Sequence, residues 1–158
     1  MPPECWSPVA GVCYHAVMKQ ATRVFALRTA GPGMTDITRD LARFVADEGA
    51  ETGVLNLLCR HTSASLTIQE NADPDVQTDL ARAMERLAPQ DPALYVHGME
   101  GPDDMPAHIR TVLSGVTLAI PVIEGRLALG VWQGVYLWEH RDRPHRREVA
   151  AHLMFEPG

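Results

Sequence analysis

The chain has no apolar run long enough to cross a bilayer, and its first residues lack the basic start and apolar core of a secretory signal. Both absences lead us to expect a cytoplasmic protein without a membrane partner. Cysteine is scarce: Cys5, Cys13 and Cys59 are an odd number with no CxxC pair, which suits reduced thiols better than a disulfide framework. A long basic run is also missing. The single cationic cluster, Arg141 to Arg147, stands against a net charge of -6, so a nucleic-acid partner is not expected. There is no GxSxG elbow, which argues against Ser63 as a hydrolase nucleophile. There is likewise no glycine-rich phosphate loop, no HExxH helix and no internal repeat.

What is present is enough for one domain of ordinary size. The chain has 158 residues, 46% of them hydrophobic. Residues 1–18 show no period and read as an N-terminal extension; 19–158 read as the domain. Gln20 to Thr29 alternates loosely as a first strand, and Gly31-Pro32-Gly33 turns the chain into a short strand at Met34–Thr38. Leu41, Phe44 and Val45 fall on one face of a helix from Arg39 to Glu48, which Gly49 ends. From Val54 the chain reads as a buried strand that turns polar without breaking. Alternation along it puts Leu55, Leu57, Cys59, His61, Ser63 and Ser65 on one side, as if a core strand ran out into a cleft.

Asp73-Pro74 is a helix start, with a capping carboxylate and a proline where no amide is needed. That helix carries the stripe Val76, Leu80, Ala83, Met84 and Leu87. A loop with Tyr95 and His97 leads to a second helix, capped at Asp103 or Asp104 and ended by Gly115. The last third reads as β: Val116–Ile123, a hairpin turn at Glu124-Gly125, one long strand Arg126–Glu139 with Tyr136, Trp138 and His140 on one face, and Arg147–Phe155. Gly130 and Gly134 mark bulges or close backbone approach. The order β-β-α-β-α-α-β-β-β predicts an α+β fold, mainly antiparallel sheet with about three helices.

Of seven histidines, His61, His97, His108 and His140 sit at polar ends of these elements or in the loop between them. Imidazole is the commonest metal ligand, and three ligands with an open fourth position is the usual catalytic zinc arrangement. Ordinary hydrogen-bonded surface histidines are the competing reading. Asp103 and Asp104 suit a cation or a helix cap. Thr62, Ser63 and Ser65 can donate to phosphate oxygens, with Arg110 or Arg141 supplying charge; backbone pairing and surface salt bridges are the alternatives there.

The ordered blocks His61-Thr62-Ser63-Ala64-Ser65-Leu66-Thr67, Glu70-Asn71-Ala72-Asp73-Pro74, Tyr95-x-His97, Glu100-Gly101-x-Asp103-Asp104-Met105-Pro106-Ala107-His108-Ile109, Gly130-x-Trp132-Gln133-Gly134 and Glu139-His140-Arg141 resemble the YjbQ-like family of secondary thiamine-phosphate synthases. The resemblance runs from about Gln20 to Glu156. It implies a small α+β protein, a homotrimer, with a histidine-lined pocket near subunit contacts. The family's histidines fall on His61, His97, His108 and His140, as metal ligands. Its catalytic positions fall on His61, Ser63, Glu70, Asp103, Asp104 and Gln133; Ser65, Arg110 and Arg141 are the phosphate contacts expected beside them. The implied substrate is a small phosphorylated metabolite, and the implied reaction joins a pyrimidine diphosphate to a thiazole phosphate with release of pyrophosphate. A divalent cofactor is expected, and a histidine set favours a zinc-like ion over magnesium. A metal-dependent hydrolase and a non-catalytic trimeric anion-binding module rank second and third. One departure from the family stands near the end, where Phe155 occupies a position that usually holds glycine.

Overall fold

The computed structural model describes residues 18–158. The expected extension, with Cys5 and Cys13, lies almost wholly outside the described residues. Elements follow in the order β1 (Lys19–Arg28), β2 (Gly33–Asp36), α1 (Thr38–Asp47), β3 (Ala50–Cys59), β4 (Ala64–Glu70), α2 (Pro74–Leu87), a short 3₁₀ turn at Pro92–Leu94, α3 (Asp104–Ser114), β5 (Thr117–Ile123), β6 (Arg126–Leu127), β7 (Gln133–Glu139) and β8 (Arg146–Pro157). The α+β class with mainly antiparallel sheet and three α-helices among the described residues is as the sequence predicts.

Two sheets form. One has the order β1-β8-β3-β5-β6 and the other β2-β7-β4. Their inner faces close on one core. Leu55, Leu57 and Cys59 of β3 and Val149, Ala151, Leu153 and Phe155 of β8 meet Ala64 and Leu66 of β4, Val135 and Leu137 of β7, and Leu41, Phe44 and Val45 of α1. The opposite face of the small sheet is buried too: Ser65, Tyr136, Trp138 and His140 lie there, with Ala81 and Met84 of α2 close to the last two. The outer face of the large sheet stays open, with Val24, Leu58 and Met154 exposed.

Two expectations are corrected. The strand that starts in the core does not run on past Cys59. The chain leaves the large sheet at Arg60–Ser63 and re-enters as β4 in the other sheet. The inward parity changes across that break, so Ala64 and Leu66 face the core and Ser65 faces the helices. The long strand Arg126–Glu139 is likewise two strands in different sheets, parted by Ala128–Trp132. Apolar periodicity reports burial and cannot say which sheet buries a strand.

The hairpin and α2 signals hold, while Asp103 stands at the N-cap position of α3 without a side-chain capping bond. Glu124 and Gly125 both have positive φ, 50° and 74°, the conformation of a tight two-residue hairpin between Ile123 and Arg126. Asp73 caps α2 by accepting the Asp75 amide at 2.9 Å. Gly134 is a close approach, since a Cβ there would sit 2.9 Å from the Tyr136 ring.

Candidate functional site

The face of α3 that carries chemistry is set by helical spacing. Asp104 and His108 lie one turn apart and project together. The loop after the 3₁₀ turn brings His97 to the same place. The ligand atoms of His97, Asp104 and His108 all lie within 4.8 Å of one another. His97 Nε2 is 2.7 Å, and His108 Nε2 3.4 Å, from Asp104 Oδ2. The Asp104 carboxylate is buried, and the two imidazoles are open to solvent on one side.

Hydrogen bonding fixes how His108 presents itself. Its Nδ1 is 3.0 Å from the Thr62 carbonyl, which can only accept. Nδ1 therefore carries the proton, and in the neutral ring Nε2 turns a lone pair toward the Asp104 carboxylate. Two acceptors facing each other call for a cation between them, either a proton or a metal ion. A carbonyl on the far ring nitrogen is also the usual outer support of a metal-bound histidine.

Arg141 holds the carboxylates in position. Its Nε donates to Asp103 Oδ2 at 2.8 Å, its Nη1 to Asp104 Oδ1, and its Nη2 to the Glu100 carbonyl at 2.9 Å. Burial alone would raise the Asp103 carboxyl, but hydrogen bonds from Arg141 and the Asp142 amide outweigh it and hold it below the ordinary carboxylate range. Arg141 thus spends Nε, Nη1 and Nη2 on the two carboxylates and the Glu100 carbonyl, and Asp104 sits between Arg141 and the two imidazoles.

Beside this cluster opens a cavity of about 620 Å³ lined by His61, Thr62, Ser63, His108, Thr111 and Arg147, among others. His61 Nε2 accepts the Glu148 amide at 2.8 Å, leaving its ring proton on Nδ1. Burial, then the Arg147 charge, lower its pKa below the ordinary histidine value, so the ring is neutral at pH 7. Ser63 Oγ accepts from Arg147 Nη2 at 3.1 Å. Thr111 Oγ1 is buried without a partner among the described residues.

The remaining expected residues are elsewhere in this chain. His140, taken for a metal ligand, is buried on the helix side of the small sheet, its Nε2 2.9 Å from Ser65 Oγ. Burial and the nearby Arg110 charge push its pKa down to about 4. Ser65 is spent on that contact and reaches no open cavity near His108. His61 stands beside His108 but outside the ligand group. Arg110 lines other cavities. Glu70 and Gln133 pair with each other at the far end of β4 and β7, six residues and about 20 Å along the strands from the Ala64–Glu139 end. Gln133 closes a turn there, accepting the Gly130 amide at 2.8 Å.

Sequence reasoning missed Glu139 and Arg147. Both are buried, and Arg147 donates to both Glu139 oxygens, with Nε to Oε2 at 2.7 Å and Nη2 to Oε1 at 2.5 Å. Thr29 and the His140 and Arg141 amides complete the carboxylate's partners. Burial would raise the Glu139 carboxyl, yet these bonds hold it low. The signal was strand parity: Arg147 shares a face with Val149 and Ala151, and Glu139 with Val135 and Leu137, so both point inward.

A family profile described as "UPF0047 protein YjbQ-like" matches residues 23–156. The chain is similar to a UPF0047 protein of Synechocystis, at 48% identity over 89% of this chain and 96% of that one. It is also similar to YjbQ of Salmonella typhimurium, at 51% identity over 67% and 76% of the two chains. Among solved structures it resembles an uncharacterised YjbQ/UPF0047 protein of Clostridium acetobutylicum, with a TM-score of 0.76 and 35% identity over 83% of this chain and 98% of that one. A YjbQ-like protein of unknown function from Sulfolobus solfataricus shares the fold, with a TM-score of 0.82 at 21% identity over 89% of this chain and all of that one.

Proposed function

The chain belongs to the YjbQ-like UPF0047 family, and we propose that it is a metal-dependent hydrolase of a small phosphorylated metabolite, with a zinc-like ion held by His97, Asp104 and His108. The observation that carries this reading is the His108 ring, protonated toward the Thr62 carbonyl and presenting a lone pair to a buried carboxylate. Two imidazoles and one carboxylate suit zinc-like ions, whereas magnesium prefers oxygen ligands. Such an ion, when bound, acidifies a coordinated water and polarises a phosphoryl oxygen.

The chain's own residues supply the rest. Ser63 and Arg147 line the adjoining cavity; the Ser63 hydroxyl, whose oxygen accepts from Arg147, keeps its proton for a phosphate oxygen, and Arg147, held by Glu139 through Nε and Nη2, keeps Nη1 for one. The Nδ1–H of neutral His61 is a further donor on that wall. Arg141 keeps Asp104 from turning away from the two histidines. Thiamine-phosphate synthesis is the second reading. It draws on the cavity of about 620 Å³, which falls within the usual range for sites that enclose a whole metabolite. It ranks lower because a departing pyrophosphate is best served by an oxygen-ligated magnesium ion.

The test joins elemental analysis to turnover, on protein purified without chelator. We expect about one transition-metal ion per chain, lost in the His97→Ala, His108→Ala double variant, and metal-dependent release of phosphate from members of a phosphate-ester panel. Metal-free wild-type protein that stays metal-free after zinc is added would sink the assignment. Formation of thiamine phosphate from the two phosphorylated precursors, without ester hydrolysis, would promote the second reading. We also place the protein in the cytoplasm as a homotrimer; the open apolar face of the large sheet supports self-assembly, and no helix among the described residues is long and apolar enough to cross a membrane.

A further inference from the structure

Arg110 leaves α3 two residues after His108, about 200° further round the helix. Only 7% of it is exposed, and it forms no ion pair among the described residues. One of its five N–H donors is used there: Nη2 donates to the Ala88 carbonyl at 2.9 Å, at the end of α2. Its Nε is buried with no partner among the described residues. A carbonyl satisfies one donor but leaves the charge, and buried guanidinium groups are almost always paired because an uncompensated charge out of water is costly.

Two adjoining cavities open at this side chain. One of about 260 Å³ runs beneath α2, between Ala81 and Met84 on the helix and Trp138 and His140 on the sheet. The other, about 350 Å³, continues past Pro89 and Gln90. Both are lined by Pro32, Glu85 and Arg110, and neither shares a lining residue with the His61–His108 cavity.

The charges around them select a ligand. Glu139 has both oxygens taken by Arg147, Thr29 and backbone amides. Asp142 accepts from the Gln90 amide group on both oxygens. Glu85 lies exposed at the rim. His140 is neutral at pH 7. Arg110 is the one arginine or lysine among the described residues lining either cavity, and the carboxylates of Glu85 and Asp142, neither paired with it, disfavour a dianion. The walls at Ala81, Met84 and Trp138 are apolar. We propose that this space is a binding site for a small monocarboxylate with an apolar body, its carboxylate on Arg110 and its body between Met84 and Trp138.

The test is calorimetric titration of the 158-residue chain with sodium benzoate, with inorganic phosphate as the comparison anion. We expect saturable binding of one benzoate per chain, weakened about tenfold or more by Arg110→Gln, the loss of one charge-assisted contact. Ala81→Phe fills the cavity from α2, leaves Arg110 in place, and is expected to abolish binding. It also decides the matter if Arg110→Gln does not fold, since retained benzoate binding in Ala81→Phe would overturn the proposal. So would unchanged affinity in folded Arg110→Gln, no saturation of the wild type at about 20 mM, or tighter binding of phosphate than of benzoate.

Discussion

At His140, burial and the Arg110 charge both act against the imidazolium, so the folded protein binds that proton only near pH 4, whereas the unfolded chain binds it near 6.5. Protonation therefore favours unfolding: stability is full above about pH 6.5 and falls as the pH drops toward 4. By pH 5 the loss from this one ring is about 2 kcal/mol, and His61 adds to it in the same direction. Urea unfolding at pH 7 and pH 5 checks this: in His140→Gln the gap between the two stabilities should shrink by about 2 kcal/mol. The carboxylates Asp103 and Glu139 act lower, their stabilisation fading only as the pH falls below their ordinary values of 3.8 and 4.5. The Glu139–Arg147 pair makes a second residue-scale prediction. Glu139→Leu strands a buried guanidinium and should cost about 3–5 kcal/mol, while Glu139→Leu with Arg147→Met should recover most of it. A loss in the double variant equal to the sum of the Glu139→Leu and Arg147→Met losses, measured by denaturant titration, would mean that the pair is not energetically coupled. These residues also show what was legible. The chemistry of His97, Asp104 and His108 could be read from residue type, and only the i,i+4 spacing of the last two from position. That His97 joins them, and that His61 and His140 do not, depends on a loop path and a sheet assignment that no local pattern encodes.

Elements were legible where a single residue type forces the backbone. Glu124-Gly125 and Asp73-Pro74 fixed a hairpin and a helix start because turn and cap geometry are local. Replacing the cap, Asp73→Ala, should cost about 1 kcal/mol by chemical denaturation. The breaks after Cys59 and Leu127 were not legible, because the flanking segments are β-prone and differ only in the partner strand. Register shows what faces Phe155 across the sheet. Phe155 lies opposite Gly53 in the β3–β8 pair, and its ring is buried in the core. A Cβ on Gly53 would stand 2.8 Å from the Phe155 Cβ and would collide with the Met154 carbonyl. The absent side chain on β3 accommodates the large one on β8. Gly53→Ala should therefore cost about 1–3 kcal/mol, with the same assay showing whether the backbone has yielded instead.

For the whole molecule, the open face of the large sheet carries the assembly question. Thr22, Val24, Leu58, Ala119 and Ala150 line a shallow apolar groove across β1, β8, β3 and β5. If copies of the chain meet there, Val24→Arg with Leu58→Glu should turn a trimer into a folded monomer in sedimentation analysis. A trimer that survives both charges would place the contact elsewhere. The fold class was legible, since it follows from element order, but the face left open was set by which strands share a sheet.

The strand order has one more consequence. β8 lies between β1 and β3, and among the described residues β1 pairs with no other strand. A nascent chain leaving the ribosome therefore holds its first strand without a partner through the synthesis of everything that follows, until Arg146–Pro157 has emerged to fill the gap. The large sheet closes only after translation has passed that point, and its formation is governed by a loop of more than a hundred residues, slow by the ordinary cost of closing long loops. During that interval the edges of β1 and β3 are exposed, and unpaired edges of that kind are where wrong pairing between chains begins.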